Sequence, residues 1–420
     1  QILTHRDVDV IFVPISIRFE TATQDVVFAA LAARLANIYE SEPEKLPPAS
    51  LTAEQWKGVC QSYLRREPPA GKKLLVILDG LDEATGWTPG RGLFSSDPPE
   101  SLRVLVTART RPGETNSNGW ATTLEWEDSH LARTTTLLAL DRRGVEEALV
   151  SMGNPLDKLA TKVDIVGELH RLSEGDPLLV RLYVDALVAE KERIATLRAE
   201  DLRSIKPGLS GYFERWWQDQ QEQWRIQGRD PIVEQANLRT LLNAIAAAMG
   251  PLFLDDLAAL HPEMVDSMLV RRLIQQVNRW LVGDGKTQGY SYGHPRLGYY
   301  FWEQLSEHEQ KAWDERFMSW GTHTLVELNA ETLTPERVSR YLVQNYARHL
   351  ECSHAPVEAF YRLISKGWIK AWEEVDKSLS SCLNEMEQIW KQITSLIEHN
   401  SFWQVSSFVQ LIRLSLYRSS

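Results

Sequence analysis

Residues 74–84 read LLVILDGLDEA, and the fold turns on that stretch. An apolar run from Leu74 to Leu78 leads into Asp79, and a second acidic pair, Asp82 and Glu83, follows closely. The run is too short for a membrane and suits a strand buried on both faces of a parallel sheet. A carboxylate at the end of such a strand lies in the crevice where open α/β sheets bind ligands. Asp79 is then placed to hold a hydrated Mg²⁺ against nucleotide phosphates. Asp82 or Glu83 could orient or deprotonate an attacking water. The plainer reading of the same residues is a buried strand followed by an acidic turn that caps a helix.

Working outward, SLRVLVTARTRPGE (101–114) is a second apolar strand that ends in a polar and basic cluster. Thr107 and Arg109 are predicted at the same rim as Asp79, where a guanidinium can touch a terminal phosphate and report its presence. On the other side, a strand is expected near 10–17 and a helix near 24–39. Thr23 caps that helix, and Val27, Leu31, Ala32, Leu35 and Ile38 form its apolar stripe. A loop at 41–50 leads to a helix at 51–66, where Thr52 with Gln55 fits a capping box. The Gly-, Pro- and Ser-rich stretch 85–100 is expected as a long loop over the site. RTTTLLAL (133–140), β-branched and apolar, is predicted as the last strand. Strands alternating with helices imply a parallel, doubly wound α/β sheet.

DGLDEA after an apolar strand, followed by VLVTAR, resembles the NACHT branch of the STAND class of signalling P-loop NTPases, which are related to the AAA+ ATPases. Two later stretches fit the same order. HRLSEGDPLLVRLYV (170–184) resembles the family's glycine-x-proline element, which implies that Gly175 and Pro177 belong to a lid whose proline packs against adenine. GYSYGHPRLGYYFWEQL (289–305) resembles the end of the family's winged-helix domain, which implies that His294 reaches the β-phosphate in a resting, ADP-bound state. The resemblance covers about residues 8–305 and implies ATP/ADP and Mg²⁺ as cofactors.

The chain departs from the family in one respect. It contains no G-x-x-x-x-G-K-[ST], and the Gly-Lys pairs at 71–72 and 285–286 lack the rest of that pattern. QILTHRD (1–7) reads as the end of the helix that follows a phosphate loop, so the chain is expected to begin just after its own; the alternative is a member that never carried one. Such a loop supplies several N–H groups and a lysine to the phosphates. At about 1.5–3 kcal/mol each, four lost contacts amount to roughly 6–12 kcal/mol. These 420 residues by themselves are therefore expected to bind ATP poorly and not to turn it over.

Composition sets further bounds. A chain of 420 residues with 43% hydrophobic and 25% charged residues suits several globular domains. No apolar run is long enough to span a membrane. Cys60, Cys352 and Cys382 form neither a metal pattern nor a disulfide framework, which suits a reducing cytoplasm. A net charge of −11 argues against a general nucleic-acid surface. Arg271, Arg272 and Arg279 are the main cations of the predicted winged helix, and its wing carries Asp284 and Lys286. Tyr212, Phe213, Trp216, Trp217 and Trp224 fall at helical spacing, which reads as packing rather than a ligand cage. His294 before Pro295 is either a plain helix cap or a phosphate contact.

The expected organisation is a nucleotide-binding core at 1–140, a helical lid at 141–228, a winged helix at 229–305 and a helical region at 306–420. The last includes amphipathic helices at 340–350, 359–375 and 383–393, of which the second and third carry Trp, and an apolar segment at 401–417, with no repeat of fixed period. The resemblance implies an ATP-dependent switch that oligomerises on sensing a trigger through its C-terminal region and activates an N-terminal effector not in this chain. Bacterial defence or regulatory signalling is the role it implies. Two other readings are an AAA+-type remodelling ATPase, which needs an arginine finger from a ring neighbour, and a nucleotide-free helical scaffold. All of this depends on Asp79 and Arg109 leaving adjacent parallel strands on one rim.

Overall fold

The computed structural model describes residues 7–375, together with Cys382 and Ile389; within that span it leaves out 18, 20, 40–50, 52, 85–86, 88, 90–92, 95–97, 110–117, 127–130, 190–195, 262–263 and 265. The Thr52 cap, the 41–50 loop and the 401–417 segment lie outside the described residues, as do most of 85–97 and, apart from Ile389, the 383–393 helix.

β1 (Val8–Pro14), β2 (Lys73–Asp79) and β3 (Leu102–Val106) form one sheet, parallel throughout, in the order β1-β2-β3. Side chains alternate across it. Ile11, Val13, Leu74, Val76, Leu78 and Leu102 point to one face, where they share a core with α1 (Gln24–Tyr39) and α2 (Ala53–Leu64). Val27, Phe28, Leu31 and Leu35 of α1 are fully buried there, along the stripe read from the sequence.

The other face is different. Phe12 lies opposite Ile77, and Ile77 opposite Leu105, in one row across the three strands. Phe12 is 48% exposed and Leu105 49%, and Ile77 is half-buried. The expectation of burial on both faces therefore fails among the described residues. The reason is the direction of travel. β1, β2 and β3 step the same way across the sheet, and right-handed crossovers then put every connection on the same side. α1, α2 and the Trp120-bearing α3 (Asn118–Thr123) all join the one core.

The predicted last strand is also corrected. Residues 132–140 run without a strand partner, and Leu137 and Leu138 are 93% and 87% exposed. A β-branched, apolar run becomes a strand only where a sheet edge receives it, and no described edge does. Leu140 instead donates its N–H to the Gly175 carbonyl at 2.8 Å.

From Asp141 the chain is helical. α4 (Arg142–Met152), α5 (Asp157–Ala160), α6 (Val163–Ser173), α7 (Pro177–Ala189), α8 (Ala199–Arg203) and α9 (Gly208–Ile226) come first. α10 (Pro231–Ala247), α11 (Leu254–Leu260) and α12 (Ser267–Val277) precede a short antiparallel pair, β4 (Leu281–Val282) and β5 (Ser291–Tyr292). α13 (Pro295–Glu303), α14 (Glu307–Asn329), α15 (Arg340–Cys352), α16 (Val357–Tyr361) and α17 (Lys366–Val375) follow. Asp141, Asp230 and Asp266 each accept an N–H at the start of their helix, and Ser306 with Glu309 forms a capping box.

One continuous core runs from Val145 to Tyr341. Trp280 is completely buried at its centre, 4.8 Å from the ring of Phe213 and 4.4 Å from that of Trp216. The aromatic residues of α9 pack; they do not form an open cage. A third core gathers α15 and α17 around Trp368. No helix among the described residues is long and apolar enough to cross a membrane.

Candidate functional site

At the C-terminal rim of the sheet, β2 ends in Asp79 and β3 continues into Thr107. The Thr107 hydroxyl donates to Asp79 Oδ1 at 2.5 Å. The Thr107 hydroxyl oxygen also accepts from Gly80 N–H at 3.0 Å, and the Thr107 carbonyl accepts from Leu81 N–H at 2.9 Å. Gly80 makes this possible. Its φ is +84°, and a Cβ there would sit 2.6 Å from the Ile15 carbonyl oxygen. Only glycine turns the chain at that point without strain. The turn buries Leu81 and swings Asp82 and Glu83 into a single 3-10 turn, Leu81–Glu83. Among the described residues the acidic pair does not cap a helix.

Arg109 organises both carboxylates. Its backbone N–H donates to Asp82 Oδ1 at 3.1 Å, and its Nε to Asp82 Oδ2 at 2.5 Å. Its Nη2 donates to Glu83 Oε1 at 2.9 Å. Ile17 N–H, just past β1, donates to Glu83 Oε2 at 3.0 Å. Trp120 Nε1 donates to the Arg109 carbonyl at 2.7 Å. Both acids are largely shielded from solvent. Arg109 Nη1 is buried and has no acceptor among the described residues. A buried guanidinium nitrogen without a partner is costly, and an anion at this rim would satisfy it.

His294 comes from a later segment of the chain and lies near enough for the charges of Arg109 and Asp82 to act on its imidazole. It is the N-cap of α13, and its Nδ1 accepts the Arg296 N–H at 3.2 Å. An accepting Nδ1 puts the proton of the neutral ring on Nε2, so Nε2–H is the side that can donate. Burial lowers the imidazole's pKa, the charge of Arg109 lowers it further, and Asp82 opposes them. His294 thus lies within the field of the acid–arginine cluster as a neutral donor at pH 7. The cap and the site contact are compatible, because they use different nitrogens.

Gly175 and Pro177 sit nearby in the chain path. Gly175 has φ +75°, and a Cβ would meet the Leu140 carbonyl oxygen at 2.2 Å. Pro177 opens α7, and Asp176 Oδ1 caps it by accepting from Leu178 N–H at 2.8 Å. Asp176 Oδ2 forms an ion pair with Arg296 Nη1. The Gly175–Pro177 turn and the His294 turn are thereby joined.

Asp79, Thr107, Asp82, Glu83 and Arg109 converge on one rim, and His294 faces them. Sequence reading missed Ile17, Trp120, Asp176 and Arg296. Asp176 alone had a local signal, as an acid ahead of a helix-opening proline; a tryptophan that holds a carbonyl across a loop has none.

Among the described residues no group of three or more His, Cys, Asp and Glu side chains could hold a metal. Asp79 instead offers one carboxylate with Oδ1 engaged by Thr107. Such a ligand suits a Mg²⁺ that keeps most of its waters and takes phosphate oxygens, and it fits no cation that needs an all-protein cage.

No protein-family model matches the chain, and no curated protein matches it.

Proposed function

We propose that this chain belongs to a nucleotide-dependent signalling switch of the NACHT type. The observation that carries the reading is the meeting on one rim of Asp79 from β2 and Arg109 from beyond β3, with His294 at the start of α13 within reach of the Arg109 charge. In this reading 141–228 is the lid and 229–305 the winged helix, with β4 and β5 as its wing. Asp79, oriented by Thr107, holds Mg²⁺, which neutralises phosphate charge when bound. Pro177 contacts the base, and His294 Nε2–H donates to the β-phosphate of ADP. One such charge-assisted contact is worth about 1.5–3 kcal/mol, or roughly 10–150-fold in a closed-versus-open equilibrium.

Arg109 has two duties. In the closed state it holds Asp82 and Glu83, so neither carboxylate is free to draw a proton from water. A γ-phosphate within reach of Nη1 competes for the guanidinium and releases the acids. An ATP-driven opening then lets protomers assemble, in bacterial defence or regulatory signalling in the cytoplasm.

Nucleic-acid binding has little to rest on. Arg272 is paired with Glu234 at 2.8 Å, and Arg279 lies over the rings of Tyr212 and Trp280. Asp284 is tied into its own turn by the N–H groups of Lys286, Thr287 and Gln288.

The test is nucleotide released from the full-length protein after native purification, read by mass spectrometry. ADP retained by the wild type and lost from Asp79→Asn and His294→Ala supports the switch. A wild type that carries no nucleotide, and takes up none with Mg²⁺, overturns it in favour of a scaffold.

A further inference from the structure

We infer that Asp176 and Arg296 form a charge clamp that fastens the Gly175–Pro177 turn to the His294 turn and so fixes the placement of the His294 cap, with no nucleotide required. Its meaning for switching rests on the proposed role of His294; the clamp itself rests on geometry.

Asp176 is held rigidly. Its N–H donates to the Ser173 carbonyl at 2.8 Å, and its Oδ1 accepts from Leu178 N–H. Gly175 on one side is locked in the left-handed region against Leu140, and Pro177 on the other has a fixed φ. Oδ2 is left to face Arg296. The Asp176 side chain is 15% exposed, so a lone carboxylate there would be poorly hydrated and needs its cation.

Arg296 is anchored equally closely. Pro295 precedes it at the first position of α13, and its N–H is held by His294 Nδ1. The imidazole and the guanidinium thus both hang from the first turn of α13, so a partner that fixes that turn fixes the cap as well. The location matters too. Leu140, where the chain leaves the sheet unit, is bonded to Gly175, next to the clamp. Most other ion pairs of the helical body, such as Arg143–Glu147 and Arg215–Asp219, join residues three or four apart on one helix and are well exposed. Pairs of that kind contribute little. Asp176–Arg296 joins two turns that are far apart in sequence and ties each to a residue of the proposed site.

The test is hydrogen exchange on the 420-residue protein without nucleotide. Asp176→Asn keeps the helix cap and removes the charge; Arg296→Gln removes the partner. Each is expected to speed exchange at 293–299 and 176–181 by about tenfold or more, with 74–78 in β2 unchanged. The double variant should be no faster than either single one, because one pair has been lost. Arg296→Lys should keep most of the protection. The His294 imidazole, followed by NMR, should titrate nearer the ordinary value in Arg296→Gln and return in Arg296→Lys. Unchanged exchange in both single variants, or additive effects in the double one, overturns the clamp. Should Asp176→Asn fail to fold, the half-exposed Arg296 series decides alone. Retention of ADP is read separately, so clamp variants that exchange like the wild type while ADP is retained overturn the clamp and leave the nucleotide reading intact.

Discussion

Phe12 lies in β1 and Trp280 in the turn just before β4; both are large aromatic residues, and their surroundings could hardly differ more. Trp280 is enclosed by Phe213, Trp216 and Phe301 in a core that helices close from all sides. Phe12 stands on an open sheet face beside Ile77 and Leu105. The helical body is thus complete in itself, while the sheet unit is covered on one side. The candidate site occupies the seam between the two cores.

The contrast can be broken at its strongest point first. Trp280→Ala is expected to cost about 3–5 kcal/mol in urea denaturation, because the surrounding rings cannot collapse into the void. A loss below about 1 kcal/mol would show that the helical core is looser than it looks. Gly80→Ala comes next. It places a side chain in the left-handed region against the Ile15 carbonyl and is expected to destabilise the sheet unit by about 1–3 kcal/mol. Accelerated exchange in 74–83, with 232–246 unaffected, is the outcome that fits.

A third prediction concerns pH and the helical body. Burial pushes Asp256 up to about 6, against the lowering effect of its bonds from Ser339 and Phe253. The stability it contributes is present at acid pH and is lost as pH rises through 6. Burial, with the charge of Arg348, pushes His349 down to about 3. Its contribution is present above pH 6.5 and is lost as pH falls towards 3. The two slopes oppose each other between about pH 4 and 6, so wild-type stability should be nearly flat there. Asp256→Asn should uncover the His349 slope, an unfolding constant that rises by at most about tenfold per pH unit on acidification. A flat profile in that variant would remove the buried imidazole from the account.

The smallest effect sharpens the comparison most. Phe12→Ser should change stability by no more than about 1 kcal/mol, whereas Phe28→Ala, on the covered side, should cost about 3–5 kcal/mol. Equal losses would mean that the second face is covered after all.

Much of the local structure was legible because it depends on near neighbours. The apolar runs at 73–79 and 102–106 and the α1 stripe each follow from residues a few positions apart. Asp79, Thr107 and Arg109 could be placed on one rim because strand direction and length fix where a strand ends. The fate of 133–140 was not legible. Its residues favour a strand, but a strand needs an edge to receive it. Nor could periodicity tell a strand covered on one side from one covered on both.

The β2 and β3 strands, the α1 helix and the acidic rim of a parallel sheet were therefore set by the sequence alone, since hydrophobic period and capping act within a turn or two. The tertiary structure decided that Arg109 grips Asp82 and Glu83, that His294 faces that cluster, and that Asp176 meets Arg296. These partners lie from tens of residues to more than a hundred apart in the chain. No local pattern encodes such pairings; they arise when the folded chain brings charged groups from distant segments together and shields them from water.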